Sequence, residues 1–251
     1  MFSGEYDKEE SKMIIRYTNH PYATFINRVI SDIIMQLVKI GGSDNVAAAK
    51  IAEGVWPYIS WYGPGRCADA AIRHDSERFP RVVIEVLFPS KRNYLPYLIH
   101  DHIVGSQGRT RSVIGLDIVH RGSKKATVSV WQSGSTRSDD GEEVLISEQT
   151  LKDHCFRSED GSAVKEGSLI LFRLGDFLNP DDADGIAGSD NIPISIPYSK
   201  LARYLDCTER ESARAEEESG KSEGGERSGR VAISGCRKTE REVDYGRGLG
   251  R

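Results

Sequence analysis

Cysteine is scarce in this chain. Four residues in 251 are Cys: Cys67, Cys155, Cys207 and Cys236. They are scattered, with no C-x-x-C pair and no His at ligand spacing. A structural zinc, which needs clustered soft ligands, is therefore not expected. Nor is a disulfide framework at this density and length. Isolated buried thiols are the expectation. Long apolar runs are lacking too. The best stretch, Phe25–Ile40, is interrupted by Asn27, Arg28, Asp32, Gln36 and Lys39, short of the roughly 20 residues a bilayer span requires. Met1 to Lys12 is charged and has no apolar signal-peptide core. Both absences point to a soluble intracellular protein without a membrane partner, nuclear or cytoplasmic placement being unresolved. No sign of charge dominates, since 34 Lys and Arg face 38 Asp and Glu. That balance excludes an overall basic polyanion binder, although a net figure can hide a local basic stretch.

Such a stretch is present. Residues 61–125 carry eleven basic and six acidic residues, a net +5. Residues 126–207 carry seven and fifteen, a net −8, and residues 208–251 balance at ten and ten. Apolar residues make up 38% of the chain, enough for a core but low for a chain that is globular throughout. Thr208 to Arg251 is built of Glu, Arg, Ser and Gly. It has too little apolar surface to offset its ordering entropy. The expected organisation is one domain over residues 1–207 and a disordered, low-complexity charged tail over 208–251, with a fraying helix conceivable across Glu209–Glu218.

Within the domain, His20–Ile40 has apolar residues at three- and four-residue steps and predicts an amphipathic helix. Thr18 or Asn19 would cap it and Gly41-Gly42 would end it. The Ala-dense Asn45–Glu53 suggests a second, short helix. Strands are expected at Ile59–Tyr62, Ala68–Arg73 and Arg81–Phe88, then a helix at Tyr94–Val104, then a strand hairpin of Ser112–His120 and Ala126–Gln132 turning at Gly122–Lys125. Glu143–Glu148 and Ser168–Leu174 are weaker strand candidates, and Ile196–Leu205 is a last short helix. This order predicts an α/β domain. The Asp-rich Pro180–Asn191 lacks the donor spacing of a calcium helix-loop-helix loop and reads as a solvated loop.

Glu85 is the anomaly. It lies inside Val82-Val83-Ile84-Glu85-Val86-Leu87, where an unpaired charge is costly to bury. Sixteen residues earlier, Asp69 sits in another short strand. If the two strands pair in antiparallel fashion, both carboxylates can face one side of the sheet, where a divalent cation would relieve their repulsion. Mg²⁺ accepts one or two carboxylates together with water and phosphate oxygens. Ser90, Lys91 and Arg92 follow closely and could stabilise charge on a phosphate. The alternative is structural: Asp69 and Glu85 would pair with Arg73, Arg81 or Lys91. His100, Asp101 and His102 are not expected to form a metal cluster, because consecutive helical residues point in different directions. Trp131 is expected to pack in the core. The basic residues Arg73, Arg81, Arg92, Arg109 and Arg111 are candidates for phosphate binding, with a solvated face as the competing reading.

The set Asp69-Ala70-Ala71-Ile72-Arg73-His74, Arg81-Val82-Val83-Ile84-Glu85-Val86, Pro89-Ser90-Lys91, Leu95-Pro96-Tyr97-Leu98, Val113-Ile114-Gly115-Leu116-Asp117-Ile118 and Gly122–Trp131 resembles the PD-(D/E)XK nuclease superfamily. More closely, it resembles a branch of restriction-endonuclease-like proteins abundant in fungi, with bacterial relatives. The resemblance covers roughly residues 18–178. It implies a restriction-endonuclease-like mixed central sheet flanked by helices and Mg²⁺-dependent hydrolysis of DNA phosphodiester bonds, with Mn²⁺ as a substitute metal. Asp69 and Glu85 would be the ligands, and Lys91 the residue that orients water and stabilises charge. A homodimer is a further implication. The chain departs from the pattern at Leu87, where the usual E-x-K places its lysine, at Ala68 in place of a Pro, and at Pro21 in place of a Glu. These departures support an alternative: a catalytically inactive nuclease-fold protein that binds nucleic acid or protein.

Overall fold

The computed structural model describes residues 2–7, 12–17, 20–41, 51–55, 58–59, 66–74, 76–87, 92, 94–118, 122–165, 169–177 and 192–222. Twelve strands and three α-helices lie within them, numbered here in chain order. A six-stranded sheet forms the centre. It comprises β3 (Ile51–Val55), β6 (Ala70–His74), β7 (Val82–Leu87), β8 (Ser112–Asp117), β9 (Ala126–Arg137) and β10 (Glu143–Arg157), in the order β10-β9-β8-β7-β6-β3. The β7–β8 pair is parallel and every other pair is antiparallel. The parallel pair requires a crossover, which contains α2 (Leu95–Ile103). The remaining strands pair two by two: β1 (Phe2–Asp7) with β2 (Lys12–Tyr17), β4 (Tyr58–Ile59) with β5 (Arg66–Cys67), and β11 (Leu169–Arg173) with β12 (Pro193–Pro197).

Side-chain alternation divides the sheet into two apolar faces. Ala70, Ile72, Val82, Ile84, Val86, Ile114, Leu116, Val128 and Val130 pack against α1 (His20–Gly41) and α3 (Tyr198–Ser222). Phe25, Ile26, Val29, Ile30, Ile33 and Leu37 of α1 face Leu201, Ala202 and Leu205 of α3 in this larger cluster. Each fully buried Ile, Leu or Phe there contributes about 1.5–3 kcal/mol. The opposite face carries Ala71, Val83 and Val113, covered by Ile99 and Ile103 of α2 with Trp131 at the margin. The expected α/β architecture, a mixed sheet flanked by helices, is the one observed. Continuous burial of all six β7 residues and all six β8 residues fits strands covered on both sides.

Three expectations change. Residues 51–53, assigned to a helix from their Ala density, lie in β3, where pairing with β6 overrides weak local propensity; residues 42–50 lie outside the described residues. Strands β9 and β10 run to 12 and 15 residues, well beyond Gln132 and Glu148, where the expected Ala126–Gln132 and Glu143–Glu148 strands ended. The last helix starts at Tyr198, after β12, and continues to Ser222, so the boundary drawn at 207 falls inside α3. Its continuation is tied to the domain by Arg157, which is buried (1% exposed) at the end of β10. The Arg157 guanidinium donates to the Lys124 carbonyl (2.6 Å), to Asp206 (3.0 Å) and to both oxygens of Glu209 (2.7 and 2.8 Å). Burial works against its charge, but the bonds to Glu209 and Asp206 outweigh it and raise its pKa above the ordinary value. Residues 223–251 of the expected tail, and the Pro180–Asn191 loop apart from its neighbours, lie outside the described residues.

Candidate active site

The β6–β7 register pairs Ala70 with Ile84, Ala71 with Val83 and Ile72 with Val82. The pairing ends at Ala70; Asp69 is the bend residue just before β6, next to the Ala70–Ile84 pair. Both residues are buried, Asp69 at 5% exposure and Glu85 at 0%. The Asp69 carboxylate bends onto the neighbouring strand, and its Oδ2 accepts the Val86 N–H at 2.6 Å. That bond fixes Asp69 against β7, one residue from Glu85. Asp69 and Glu85 thus engage consecutive residues of one stretch of β7: Asp69 through the Val86 N–H, Glu85 from its own position on the strand.

Glu85 points to the α2 face, together with Val83 and Leu87. Its Oε1 lies 2.7 Å from Nε2 of His102, which is also fully buried. With Glu85 ionised the carboxylate accepts only, and Nε2 of the imidazole is then the donor. His102 was not expected to matter. Within His100-Asp101-His102, only His102 is on the buried stripe of α2, with Leu98, Ile99 and Ile103. The signal was present in the sequence as the i, i+1, i+4, i+5 spacing of those four residues. His74 is likewise fully buried, and its Nδ1 pairs with the Ser76 hydroxyl at 2.8 Å.

Beside Glu85 in the parallel register is Gly115, and beside Leu87 is Asp117. A Cβ on Gly115 would stand 3.0 Å from the Trp131 ring and 3.2 Å from Leu87 Cδ1. Leu87 therefore packs on the bare backbone of β8 at Gly115. Asp117 forms an ion pair with Arg92 across the C-terminal ends of these strands. Lys91 lies outside the described residues.

The other basic candidates are elsewhere. Arg81 is buried just before β7 and donates to Glu77 (3.1 Å). Burial lowers its pKa from the ordinary value; Glu77 opposes this, whereas Arg111 and Arg109 add to it. Arg109 is exposed and also reaches Glu77, at 3.3 Å. The Arg111 N–H donates to the Arg81 carbonyl at 2.8 Å. These three are at the N-terminal ends of β7 and β8, about 13 Å along the strand from Glu85 at 3.3 Å per residue. Arg73 is exposed near the end of β6, again away from Asp69. Of the five arginines, only Arg92 is at the carboxylate end. Among their contacts, Asp69 accepts from Val86 and Glu85 bonds His102.

Asp69 and Glu85 offer hard carboxylate oxygens, the donor type through which Mg²⁺ is bound by one or two carboxylates. Each gives one oxygen to a protein N–H, and a carboxylate offers about four lone-pair sites. Among the described residues no three His, Cys, Asp or Glu side chains converge as metal ligands. The other positions around a cation would fall to water and phosphate oxygens. No helix among the described residues is long and apolar enough to cross a membrane.

No family model matches the chain, and no curated protein matches it. Among solved structures, the chain is similar to one described as a "putative nuclease belonging to DUF820" from Anabaena variabilis, with 13% sequence identity and a TM-score of 0.41, over 81% of this chain and 91% of that one. That neighbour is not from a fungus, and the match lends nothing to the fungal branch named above.

Proposed function

We propose that this chain is a metal-dependent nuclease that hydrolyses phosphodiester bonds in DNA. The observation that carries the reading is the pair of buried carboxylates: Glu85 on β7, bonded to His102, and Asp69 just before β6, bonded to the Val86 N–H next to Glu85. A buried acidic pair in an otherwise apolar strand region is costly unless cations or hydrogen-bond donors compensate it. Asp69 and Glu85 would hold Mg²⁺, or Mn²⁺ in its place. Bound there, the ion would polarise a phosphate oxygen and lower the pKa of water. The Val86 N–H keeps the Asp69 carboxylate turned toward β7. Arg92, half exposed and paired with Asp117 at the same strand ends, is placed to meet a phosphate entering from solvent. Lys91 is assigned the charge-stabilising role on the resemblance alone.

Nicking of supercoiled plasmid DNA tests this. Activity should require Mg²⁺ or Mn²⁺, disappear with a chelator, and fall at least about 100-fold in Asp69→Asn and Glu85→Gln, the scale of losing a principal catalytic group. Chelator-resistant cleavage, or full activity in Glu85→Gln, would refute it.

A second reading is favoured by Leu87. With a buried hydrocarbon at the usual lysine position, the fold would bind DNA or a protein without cutting. Fluorescence anisotropy would then show metal-independent binding unaffected by Glu85→Gln, and no nicking.

A further inference from the structure

We propose that His102 is the positioning residue for Glu85, supplying from α2 the nitrogen donor that β7 lacks; this rests on the metal-site reading above. Leu87, two residues after Glu85 and on the same face, packs against Gly115 and can donate no hydrogen bond. The donor instead crosses from the helix: His102 Nε2 reaches Glu85 Oε1 at 2.7 Å, with both side chains fully buried. Around them this face is apolar, lined by Ala71, Val83, Ile99, Ile103 and Val113. A structural need alone does not call for the pair, because well-packed hydrophobic residues of similar volume are generally as stable as a buried ionic pair. The pair is also located where it can act. Glu85 adjoins Val86, whose N–H holds Asp69, so the two carboxylates meet consecutive β7 residues, one bonded by β7 itself and the other by α2. With Oε1 engaged by His102, the helix helps fix the orientation of the Glu85 carboxylate. Hydrogen bonds of this kind to a ligating group typically change metal affinity by about 10–100-fold when removed.

The test uses the full chain and Mn²⁺ titration followed by electron paramagnetic resonance, with melting temperatures recorded on the same samples. His102→Gln places an amide nitrogen near the original Nε2, and His102→Asn is polar but too short to reach Glu85. His102→Gln should bind Mn²⁺ within about threefold of the wild type, whereas His102→Asn should weaken it about 10–100-fold. A merely structural histidine would not produce that split between two polar variants of similar stability. Equal Mn²⁺ affinity in His102→Asn and wild type would overturn the inference, as would equal loss in both variants. Asp69→Asn and Glu85→Gln separate the two claims. If these abolish Mn²⁺ binding while His102→Asn retains it, only the role of His102 falls. If they bind Mn²⁺ like the wild type, or the wild type binds none, the metal-site reading fails and the inference falls with it.

Discussion

Ending the chain after Cys207, at the boundary the composition suggests, should destabilise it relative to a chain ending after Ser222. The shorter chain loses Glu209 and with it two charge-assisted hydrogen bonds to Arg157, of 2.7 and 2.8 Å. It also loses Thr208, which is buried and whose hydroxyl donates to the Tyr204 carbonyl at 3.0 Å. A hydrogen bond to a charged group contributes about 1.5–3 kcal/mol. The two Glu209 bonds do not add fully, because Glu209 is 39% exposed and solvent screens it. Arg157 also keeps Asp206 and the Lys124 carbonyl. The net loss should be about 2–3 kcal/mol, since the guanidinium stays buried with part of its partner set removed. For a domain of this size that corresponds to a fall of about 4–12 °C in melting temperature. Circular dichroism melts of the two chains and of Glu209→Gln in the longer one would measure it, the single variant lying between the two. Equal melting temperatures, within about 1 °C, would refute the idea that Arg157 anchors the start of the acidic segment.

The remaining expectations concern other joints of the same fold. Gly115→Ala should cost about 1–3 kcal/mol in urea unfolding, because its methyl would meet Trp131 at 3.0 Å and Leu87 at 3.2 Å beside Glu85. Lys200→Met should cost about 1–2 kcal/mol, because it strands the largely buried Asp32 of α1, to which Lys200 donates at 2.6 Å. The Lys200 pKa is raised by that bond, so the stability it confers is complete below the ordinary value of 10.5 and is lost as pH rises through the raised one; the gap between Lys200→Met and wild type should close in strong alkali. The Asp160 carboxyl is held below its ordinary value of 3.8 by the Ser162 N–H and then the Ser162 hydroxyl. Its carbon-13 titration midpoint should move up in Ser162→Ala, and an unchanged midpoint would remove the hydroxyl from that account.

Much of the sheet was legible because its strands are buried on both faces. Val82–Leu87 and Ser112–Asp117 show near-continuous apolar character that survives any detail of packing. What was not legible depended on distant partners. Residues 143–157 are largely exposed and polar, with register shifts near Leu151, His154 and Arg157, and they become one long strand only by lying against β9. Ile51–Val55 carries an Ala and a Gly, and only the free edge of β6 makes it a strand. The extension of α3 past 207 rests on Arg157, some fifty residues earlier, whose role no local pattern announces.

The site divides along the same line. Glu85 was visible because a carboxylate in an apolar strand violates the local rule, and such a violation demands a partner. The sequence could offer partners only by proximity, which led to Arg73, Arg81 and Lys91. Antiparallel and parallel pairing impose a different geometry. Arg81 and Arg109 reach Glu77, and Arg111 bonds the Arg81 carbonyl, at the N-terminal ends of the parallel strands, while Glu85, the Asp69–Val86 bond and the Asp117–Arg92 pair lie toward the C-terminal ends. A single phosphate could not touch both sets. The +5 of the central block is therefore no measure of the potential at the carboxylates. Glu85 takes its described donor from the helix that crosses between the parallel strands, through a histidine whose helical phase, and not its neighbours in sequence, decides where it points.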